Sequence, residues 1–365
     1  MAKKSVKSVQ SVVPTLITAD QIDKPALEAF LRKVYPPPKA NFLHAHGEWW
    51  HSGENNRWVL LVDDQTCGEH SRTIAGYCAV IPTRVLIQGE ETPAIWWVDL
   101  IIAPEFRGRG LQTLFDAKIR NIDVLKLGVP NARAAKIHRK HGWGVRQDYR
   151  VFLLPLHPLQ LKSLRNVSGL RGKLQRTAAL GLTPLTALLR RRLSTYLPHT
   201  ARRLESPSPD ILADVFHRYH PTGLNTTYRD AAYIQWRFLE APYRNELSFY
   251  LAGPGPSPSH YLVIRQFPTQ GSLFTRILDL YGDFSDQEGV KDILHLALKD
   301  IVSTSSSQVT VMVTLPELKS IFRSLGFLVS TVSRFCWHSF SQASMQALKR
   351  SNYWTLADSD NDSPV

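Results

Sequence analysis

Residues 98–112 read Val-Asp-Leu-Ile-Ile-Ala-Pro-Glu-Phe-Arg-Gly-Arg-Gly-Leu-Gln. The apolar run at the start predicts a buried strand, and a proline and a glycine-rich basic turn follow it. Leu111, Leu114, Phe115 and Ile119 then recur at spacings of three and four residues, which predicts a helix. A strand, a turn and a helix N-terminus in this order direct backbone N–H groups and a positive dipole towards one point. The segment therefore predicts a phosphate-binding site.

The alternative for the same segment is a surface turn with two solvated arginines. Gly108 and Gly110 favour phosphate binding because a residue without Cβ lets the backbone approach a phosphate closely. Two other phosphate loops are excluded, since the turn contains neither the Gly-Lys-Ser/Thr of a P-loop nor a G-x-G-x-x-G fingerprint.

A second motif follows at a fixed distance, after a predicted strand at 124–129. It comprises Asn131, Ala134, Ile137, His138, Gly142 and Trp143. The two motifs together resemble the GNAT acyltransferase superfamily. Its pyrophosphate loop has the pattern Arg/Gln-x-x-Gly-x-Gly/Ala, which Arg107 and Gly110 match and from which Gln112 departs. Its later motif is Asn-x-x-Ala-x-x-Leu-Tyr-x-x-x-Gly-Phe.

The resemblance implies an α+β (mixed α/β) fold of two GNAT-like domains. Each would be a mostly antiparallel twisted sheet flanked by helices, with a splayed central strand pair. It also implies binding of acetyl-CoA or another acyl-CoA as co-substrate, and no metal. The residues implied to bind it are Leu100, Ile101, Ile102, Arg107, Gly108, Arg109, Gly110, Leu111, Gln112 and Asn131.

Two residues are candidates for the proton transfers of an acyltransferase. Asp99 is a charge inside an apolar strand, which is costly unless it is paired or used, and we predict it as the base that activates the amine. A carboxylate bonded to a neighbouring segment is an equally good reading, and Glu90 and Glu91 are alternatives. His138 stands where the superfamily has the tyrosine that protonates the thiolate, and a histidine can donate a proton near neutral pH. A structural histidine is the other reading of His138.

The chain divides by pattern into four segments. We expect a catalytic, acyl-CoA-binding GNAT-like domain at 1–155, a basic helical connector at 156–206 and a degenerate second GNAT-like domain at 207–345. An acidic tail at 346–365 is expected to be disordered. The second domain echoes the motif of the first in Phe322-x-x-x-Gly326-Phe327, but its loop at 282–288 carries three carboxylates in place of the glycine loop, and these would repel a pyrophosphate.

Hydrophobic periodicity predicts the individual elements. Besides the helix that follows the glycine turn, helices are predicted at 24–34, 131–141, 209–219, 230–239, 286–302 and 315–325. Strands are predicted at 58–63, 73–82, 83–88, 94–102, 124–129, 144–154, 247–252, 260–266, 273–281, 309–313 and 327–337.

The connector concentrates the positive charge of the chain. Of the net +13, residues 151–204 supply +10, from ten Lys or Arg and no Asp or Glu. Its leucines are spaced like interrupted amphipathic helices, broken at Gly181 and Pro184. A solvated connector and a helix lying on an anionic membrane (156–204) are both consistent with this pattern. Nucleic acid binding is not favoured, because no aromatic interleaving or known module accompanies the charge.

Composition and length set the remaining limits. With 365 residues, 43% of them hydrophobic, the chain can form two globular domains, and no apolar run is long enough to span a membrane. We expect a cytoplasmic protein, with attachment to a membrane surface as an option. The expected activity is acyl-CoA-dependent N-acyltransfer, most simply N-acetyltransfer, to a small-molecule or protein amine. A tandem aminoacyl transferase using aminoacyl-tRNA and a non-catalytic CoA-binding module remain alternatives, and the sequence does not indicate an oligomeric state.

Overall fold

The computed structural model describes residues 14–63, 72–161, 169–255, 257–269 and 271–359. The chain folds into two compact units. Unit one comprises Met1–Pro82, Ile95–Lys126 and Ser363–Val365, and unit two comprises Thr83–Ala94 and Leu127–Asp362. Three strands cross these boundaries: the two strands of one hairpin, whose tip belongs to unit two, and the strand Leu125–Gly128.

Unit one is a sheet with helices that come early in the chain. Its elements in chain order are β1 (Thr15–Thr18), α1 (Lys24–Val34), α2 (Pro37–Trp50), β2 (Arg57–Asp63), the first part of β3 (Arg72–Ile87), the last part of β4 (Glu90–Ile102), α3 (Gln112–Arg120) and the start of β5 (Leu125–Gly128). β1 pairs antiparallel with β2, and β2 pairs antiparallel with β3. The amide of Ala103 at the end of β4 donates to Ala75 of β3 at 2.9 Å.

Most predicted elements of unit one are confirmed, and α2 is the exception. α1 has the predicted bounds, whereas the two predicted strands at 73–88 form the single strand β3. The sequence analysis missed α2 because its start, Pro36-Pro37-Pro38, has no Ser, Thr, Asp or Asn to mark a cap. Prolines are nevertheless well suited to the first turn of a helix, where their missing N–H costs nothing.

Unit two contains a mixed sheet covered by helices. Its remaining elements are α4 (Ala132–Lys140), β6 (Gly144–Pro155), α5 (Gly169–Ser194), β7 (Arg202–Leu204), α6 (Pro209–Tyr219), β8 (Asn225–Thr227), α7 (Ala231–Ile234), β9 (Leu247–Ala252), β10 (His260–Thr269), β11 (Ser272–Gly282), α8 (Gln287–Ser303), β12 (Gln308–Val313), α9 (Pro316–Ser324), β13 (Leu328–His338), α10 (Gln342–Ala347) and β14 (Asn352–Tyr353). The strands run in the order β13-β6-β12-β11-β10-β9-β7. β11 and β12 are parallel, whereas the other neighbours in this series are antiparallel.

The echo between the two motifs is visible in how two helices end. Gly142 and Gly326 both have left-handed backbones, with φ of 81° and 90°. The amide of Trp143 donates to the carbonyl of His138 at 3.1 Å, and the amide of Phe327 donates to Phe322 at 3.0 Å. These are the same glycine-terminated C-cap. The strands that follow them, β6 and β13, pair with each other.

The basic connector is a longer helix than its sequence suggested. α5 continues through both Gly181 and Pro184 as one helix. Side chains of Ala179, Thr186 and Leu193 are buried on one of its faces. No helix in the described ranges combines the length and apolar character needed to cross a membrane.

The expected disorder of the tail is wrong for residues 346–359, while 360–365 lie outside the described residues. The segment after β13 contains α10 and β14, and Asp358 is 4% exposed. Asp358 and Asp279 both bind Arg229, at 3.0 and 2.9 Å, and this guanidinium is fully buried. The acidic composition predicts disorder when it is considered alone. The buried Arg229 needs carboxylate partners, however, and the tail provides one of them, Asp358.

Candidate active site

The strand that leads to the glycine loop, β4, contains one residue with an irregular backbone, Asp99. Its backbone lies in the left-handed region, with φ of 56°, which few residues other than glycine adopt and which Asp and Asn tolerate best. Gly76 of β3 lies beside the end of β4. A Cβ there would come within 2.7 Å of Ile102 Cδ1 and 3.0 Å of Phe115, so only glycine allows this approach.

Three side chains from the two early helices hold Asp99. Lys39 Nζ lies 2.5 Å from its Oδ1, and His51 Nε2 lies 3.2 Å from its Oδ2. The Tyr35 hydroxyl donates to its backbone carbonyl at 2.8 Å. Lys39 comes from the start of α2 and His51 follows its end, so both ends of this helix are tied to one carboxylate. We call Tyr35, Lys39, His51 and Asp99 the Asp99 cluster.

The surroundings of Asp99 favour positioning over the predicted role as base. Burial by itself would raise the pKa of this carboxyl, but the Lys39 charge and the His51 hydrogen bond outweigh it and lower the pKa below its ordinary value. The Asp99 side chain is fully buried. A buried carboxylate that is already neutralised by Lys39 is a weak proton acceptor and is out of reach of an amine from solvent.

The two alternatives to Asp99 lie in the hairpin tip that belongs to unit two. Glu91 accepts a hydrogen bond from Arg84 at 2.8 Å, and both side chains are largely exposed. Glu90 is exposed beside the turn. Their position at the hairpin tip explains both exposed carboxylates without a catalytic role.

The loop after β4 presents an open glycine-lined surface. Gly108 and Gly110 have φ of 82° and 76°, and a Cβ on either would meet no protein atom within 4 Å. The Arg107 Nε donates to the carbonyl of Ile102 at 2.9 Å and so fastens the loop to the end of β4. Arg109 donates to the carbonyl of Glu105 at 3.3 Å and stacks on Phe106.

The N-terminus of α3 has no cap from its own side chains. Leu111 occupies the cap position, where Ser, Thr, Asp or Asn would accept from the first amides. Within the described ranges, the amides of residues 108–112 donate to no acceptor. Free amides at a helix N-terminus are the donors that an anion needs. A pyrophosphate therefore fits this loop.

The corresponding helix in the second half of the chain shows the opposite arrangement. Asp286 caps α8, and its carboxylate accepts from the amide of Gly289 at 2.9 Å. Asp283 similarly binds the amide of Ser285. Their carboxylates occupy the places that a phosphate would take.

The other implied cofactor residues of unit one lie along the same path. Leu100, Ile101 and Ile102 are half-buried and connect Asp99 to the loop. Gln112 is the first residue of α3 and is also half-buried. Asp99 and residues 100–112 thus form one continuous segment from the end of β4 through the glycine loop to the start of α3.

Asn131 and His138 belong to unit two. The Asn131 side chain caps α4, accepting from the amides of Arg133 and Ala134 at 3.0 Å each. His138 is 6% exposed and packs against Trp143, with ring centroids 4.7 Å apart. Helix capping explains the contacts of Asn131, and packing explains the contact of His138 with Trp143. The catalytic role of His138 stays a prediction.

The sequence analysis missed Tyr35, Lys39 and His51. Tyr35 and His51 lie 64 and 48 residues before Asp99 along the chain. Lys39 lies in α2, a helix that the sequence did not predict. The unexplained charge of Asp99 in an apolar strand was the one available signal that partners exist.

No family model and no curated protein sequence matches the chain. Solved structures do. A GCN5-related N-acetyltransferase from Anabaena variabilis is 16% identical with a TM-score of 0.55, covering 89% of this chain and 72% of its own. The fold is that of the GNAT superfamily.

Two further structures with the GNAT fold extend this result. N-myristoyltransferase from Saccharomyces cerevisiae with bound myristoyl-CoA is 11% identical with a TM-score of 0.59, covering 92% of this chain and 84% of its own. A probable N-acyltransferase from Enterococcus faecalis is 11% identical with a TM-score of 0.53, covering 92% and 74%. The predicted mixed α/β fold class is confirmed. At these identities the likeness concerns the fold alone.

Proposed function

We propose that the protein is an acyl-CoA-dependent N-acyltransferase, most simply an N-acetyltransferase. The observation that carries the proposal is the uncapped glycine loop at 108–112, which follows a strand with a left-handed residue at Asp99. Support comes from the GNAT fold, because the structures that share it include N-acetyltransferases and an N-myristoyltransferase with bound acyl-CoA.

In the proposed reaction, an amine nitrogen attacks the thioester carbonyl. A carbon–nitrogen bond forms, the nitrogen loses a proton to water, the carbon–sulfur bond breaks and the CoA thiolate leaves. The loop amides would hold the pyrophosphate, and backbone N–H groups near residues 99–101 would stabilise the developing oxyanion. The Asp99 cluster would fix the strand so that these groups point correctly, which makes Asp99 a positioning residue.

Two roles in unit two rest on motif positions alone. His138 is the proposed proton donor to the departing thiolate, and Asn131 is the proposed cofactor-side residue. The limits 1–155 and 207–345 are likewise our proposal for a tandem arrangement. Its support is the glycine-terminated C-cap that α4 and α9 share, together with the carboxylates that replace the loop in the second half.

Thiol release tests this activity against its alternatives. The protein is incubated with acetyl-CoA or longer acyl-CoAs and a panel of small amines and amino-terminal peptides, and free CoA thiol is measured. We expect amine-dependent thiol release with at least one acyl chain. Binding of CoA without thiol release would instead support the non-catalytic module, and absence of CoA binding would favour the aminoacyl-tRNA alternative.

α5 supports the further proposal of contact with an anionic membrane. Since residues are about 100° apart around a helix, Leu170, Leu174, Leu185 and Leu188 fall within about 60° of one another. They are 64–75% exposed, whereas the opposite face is buried. Lys173, Arg176, Arg191 and Arg192 are exposed on the same helix. An exposed apolar stripe with basic residues and no acidic ones suits an anionic lipid surface.

Vesicle binding checks this contact. We expect the protein to sediment with vesicles containing phosphatidylserine, and less with neutral phosphatidylcholine vesicles or at high salt. The double variant Leu174→Ser/Leu185→Ser should lose most of the binding. Leu197→Ser removes a leucine that is 77% exposed outside the helix and should bind as the wild type does. Equal sedimentation of both variants would rule out the α5 face.

A further inference from the structure

A cavity of about 290 Å³ lies inside unit one, apart from the glycine loop. It is enclosed by α1, α2, the turn after β1, and the adjoining parts of β2 and β3. The lining residues are Ala19, Asp20, Ile22, Lys24, Leu27, Leu31, Leu43, His44, Glu48, Arg57 and Tyr77. Since one water occupies about 30 Å³ in the liquid, the space suits a small organic molecule.

The floor of the cavity carries a buried guanidinium and a buried phenol. Arg57 is 9% exposed and Tyr77 is 2% exposed. The Arg57 Nε is buried and has no hydrogen-bond partner among the described residues. The Arg57 Nη2 forms an ion pair with the exposed carboxylate of Glu48 at 3.6 Å, a separation too long for a hydrogen bond. Burying a guanidinium N–H without a hydrogen bond costs free energy unless a ligand supplies the acceptor.

The walls and the rim narrow the class of ligand. Ile22, Leu27, Leu31 and Leu43 line the space between floor and rim. The rim carries the exposed carboxylates of Asp20 and Glu48 beside Lys24 and His44. Guanidinium donors match a carboxylate, and the leucines match a short apolar body. The rim carboxylates disfavour a dianion such as phosphate.

We propose that this cavity is a binding site for a small monocarboxylate with a branched aliphatic or aromatic body, held by Arg57 and Tyr77. The carboxylate accepts from the Arg57 guanidinium and the Tyr77 hydroxyl, and the apolar body packs on Leu31 and Leu43. This assignment does not rest on the proposed acyl transfer, since none of its residues belongs to the glycine loop or the Asp99 cluster.

The probes are 4-methylpentanoate and phenylacetate, each paired with its primary amide, and binding is measured by calorimetry and by the shift in melting temperature. We expect the acids to bind and to raise the melting temperature, because they bind the folded state. The amides have the same shape without the charge and should bind about ten- to a hundredfold more weakly. Equal binding of acid and amide, or no binding of either acid, would overturn the proposal.

Variants locate the site. Arg57→Met keeps most of the side-chain length without the charge and should abolish binding of the acids. Arg120→Met removes an arginine outside the cavity and should leave binding unchanged. If Arg57→Met does not fold, Tyr77→Phe removes a single hydroxyl and should weaken acid binding severalfold while leaving amide binding unchanged. Wild-type affinity for the acids in a folded Arg57→Met variant, or in Tyr77→Phe, would place them elsewhere.

Discussion

Replacing Asp99 with Asn should lower the free energy of unfolding by about 3–5 kcal/mol. Asn keeps the shape of the side chain and tolerates the left-handed backbone, so the change isolates the charge. Lys39, whose side chain is 12% exposed, is then left without its carboxylate at 2.5 Å. The removal of this counter-charge from a largely buried ammonium accounts for most of the expected loss.

A double-mutant cycle separates this ion pair from the packing around it. Lys39→Met should be destabilising for the same reason, because it leaves the buried Asp99 carboxylate with His51 alone as a side-chain partner. The double variant Asp99→Asn/Lys39→Met should recover much of the combined loss. Urea unfolding measures all four proteins. Strictly additive losses would show that Asp99 and Lys39 do not interact as the structure indicates.

The matched control is an exposed ion pair in the same unit. Lys33 binds Glu105, and their side chains are 56% and 42% exposed. Lys33→Met should cost about 1 kcal/mol or less, because solvent already screens this pair. A loss as large as that of Lys39→Met would mean that charge removal alone, and not burial, is responsible.

The pH dependence of stability follows from the same contacts. The pKa of Asp99 is lower in the folded protein than in the unfolded chain, since the Lys39 charge and the His51 hydrogen bond outweigh the effect of burial. The unfolded state therefore takes up this proton first as the pH falls. The stabilisation is complete above the unfolded pKa and is lost as the pH falls through the folded one. Asp99→Asn should flatten the acid limb of the stability profile.

The glycine loop was predictable from sequence, because its chemistry is local. Strand, turn glycines and helix lie within residues 98–120, and the structure keeps them in that order. The two halves could be compared for the same reason, since the carboxylates of Asp283 and Asp286 stand where the first half has Gly108 and Gly110.

The Asp99 cluster was not predictable, because its partners are distant in sequence. Nothing near Tyr35 or His51 indicates a carboxylate partner, and α2 lacks the usual cap signal. The prediction of disorder for the tail was wrong because it considered composition alone. Its composition indicates disorder, but Asp358 is needed as a counter-charge for the buried Arg229. Long-range charge pairing decided both cases, and local patterns contain no information on it.

Gly110→Ala should weaken CoA binding about tenfold or more, the equivalent of about 1.4 kcal/mol. The new Cβ would occupy the open surface beside the free amides of residues 108–112, where the pyrophosphate is proposed to bind. It also strains the backbone, because φ at this position is 76°. The strain has to be controlled for separately.

Gly223→Ala provides that control. Gly223 has φ of 81°, and a Cβ there would also meet no atom within 4 Å. Both variants therefore carry similar backbone strain, about 1–2 kcal/mol, but only Gly110 lies in the loop. Comparable melting temperatures for the two variants would verify the match.

Calorimetric titration of CoA into the wild type, Gly110→Ala and Gly223→Ala is the most direct test of the acyl-CoA loop. The account predicts that the wild type and Gly223→Ala bind CoA with the same affinity and that Gly110→Ala binds at least about tenfold more weakly. Equal affinity of all three proteins, or no binding of CoA to the wild type, would contradict it.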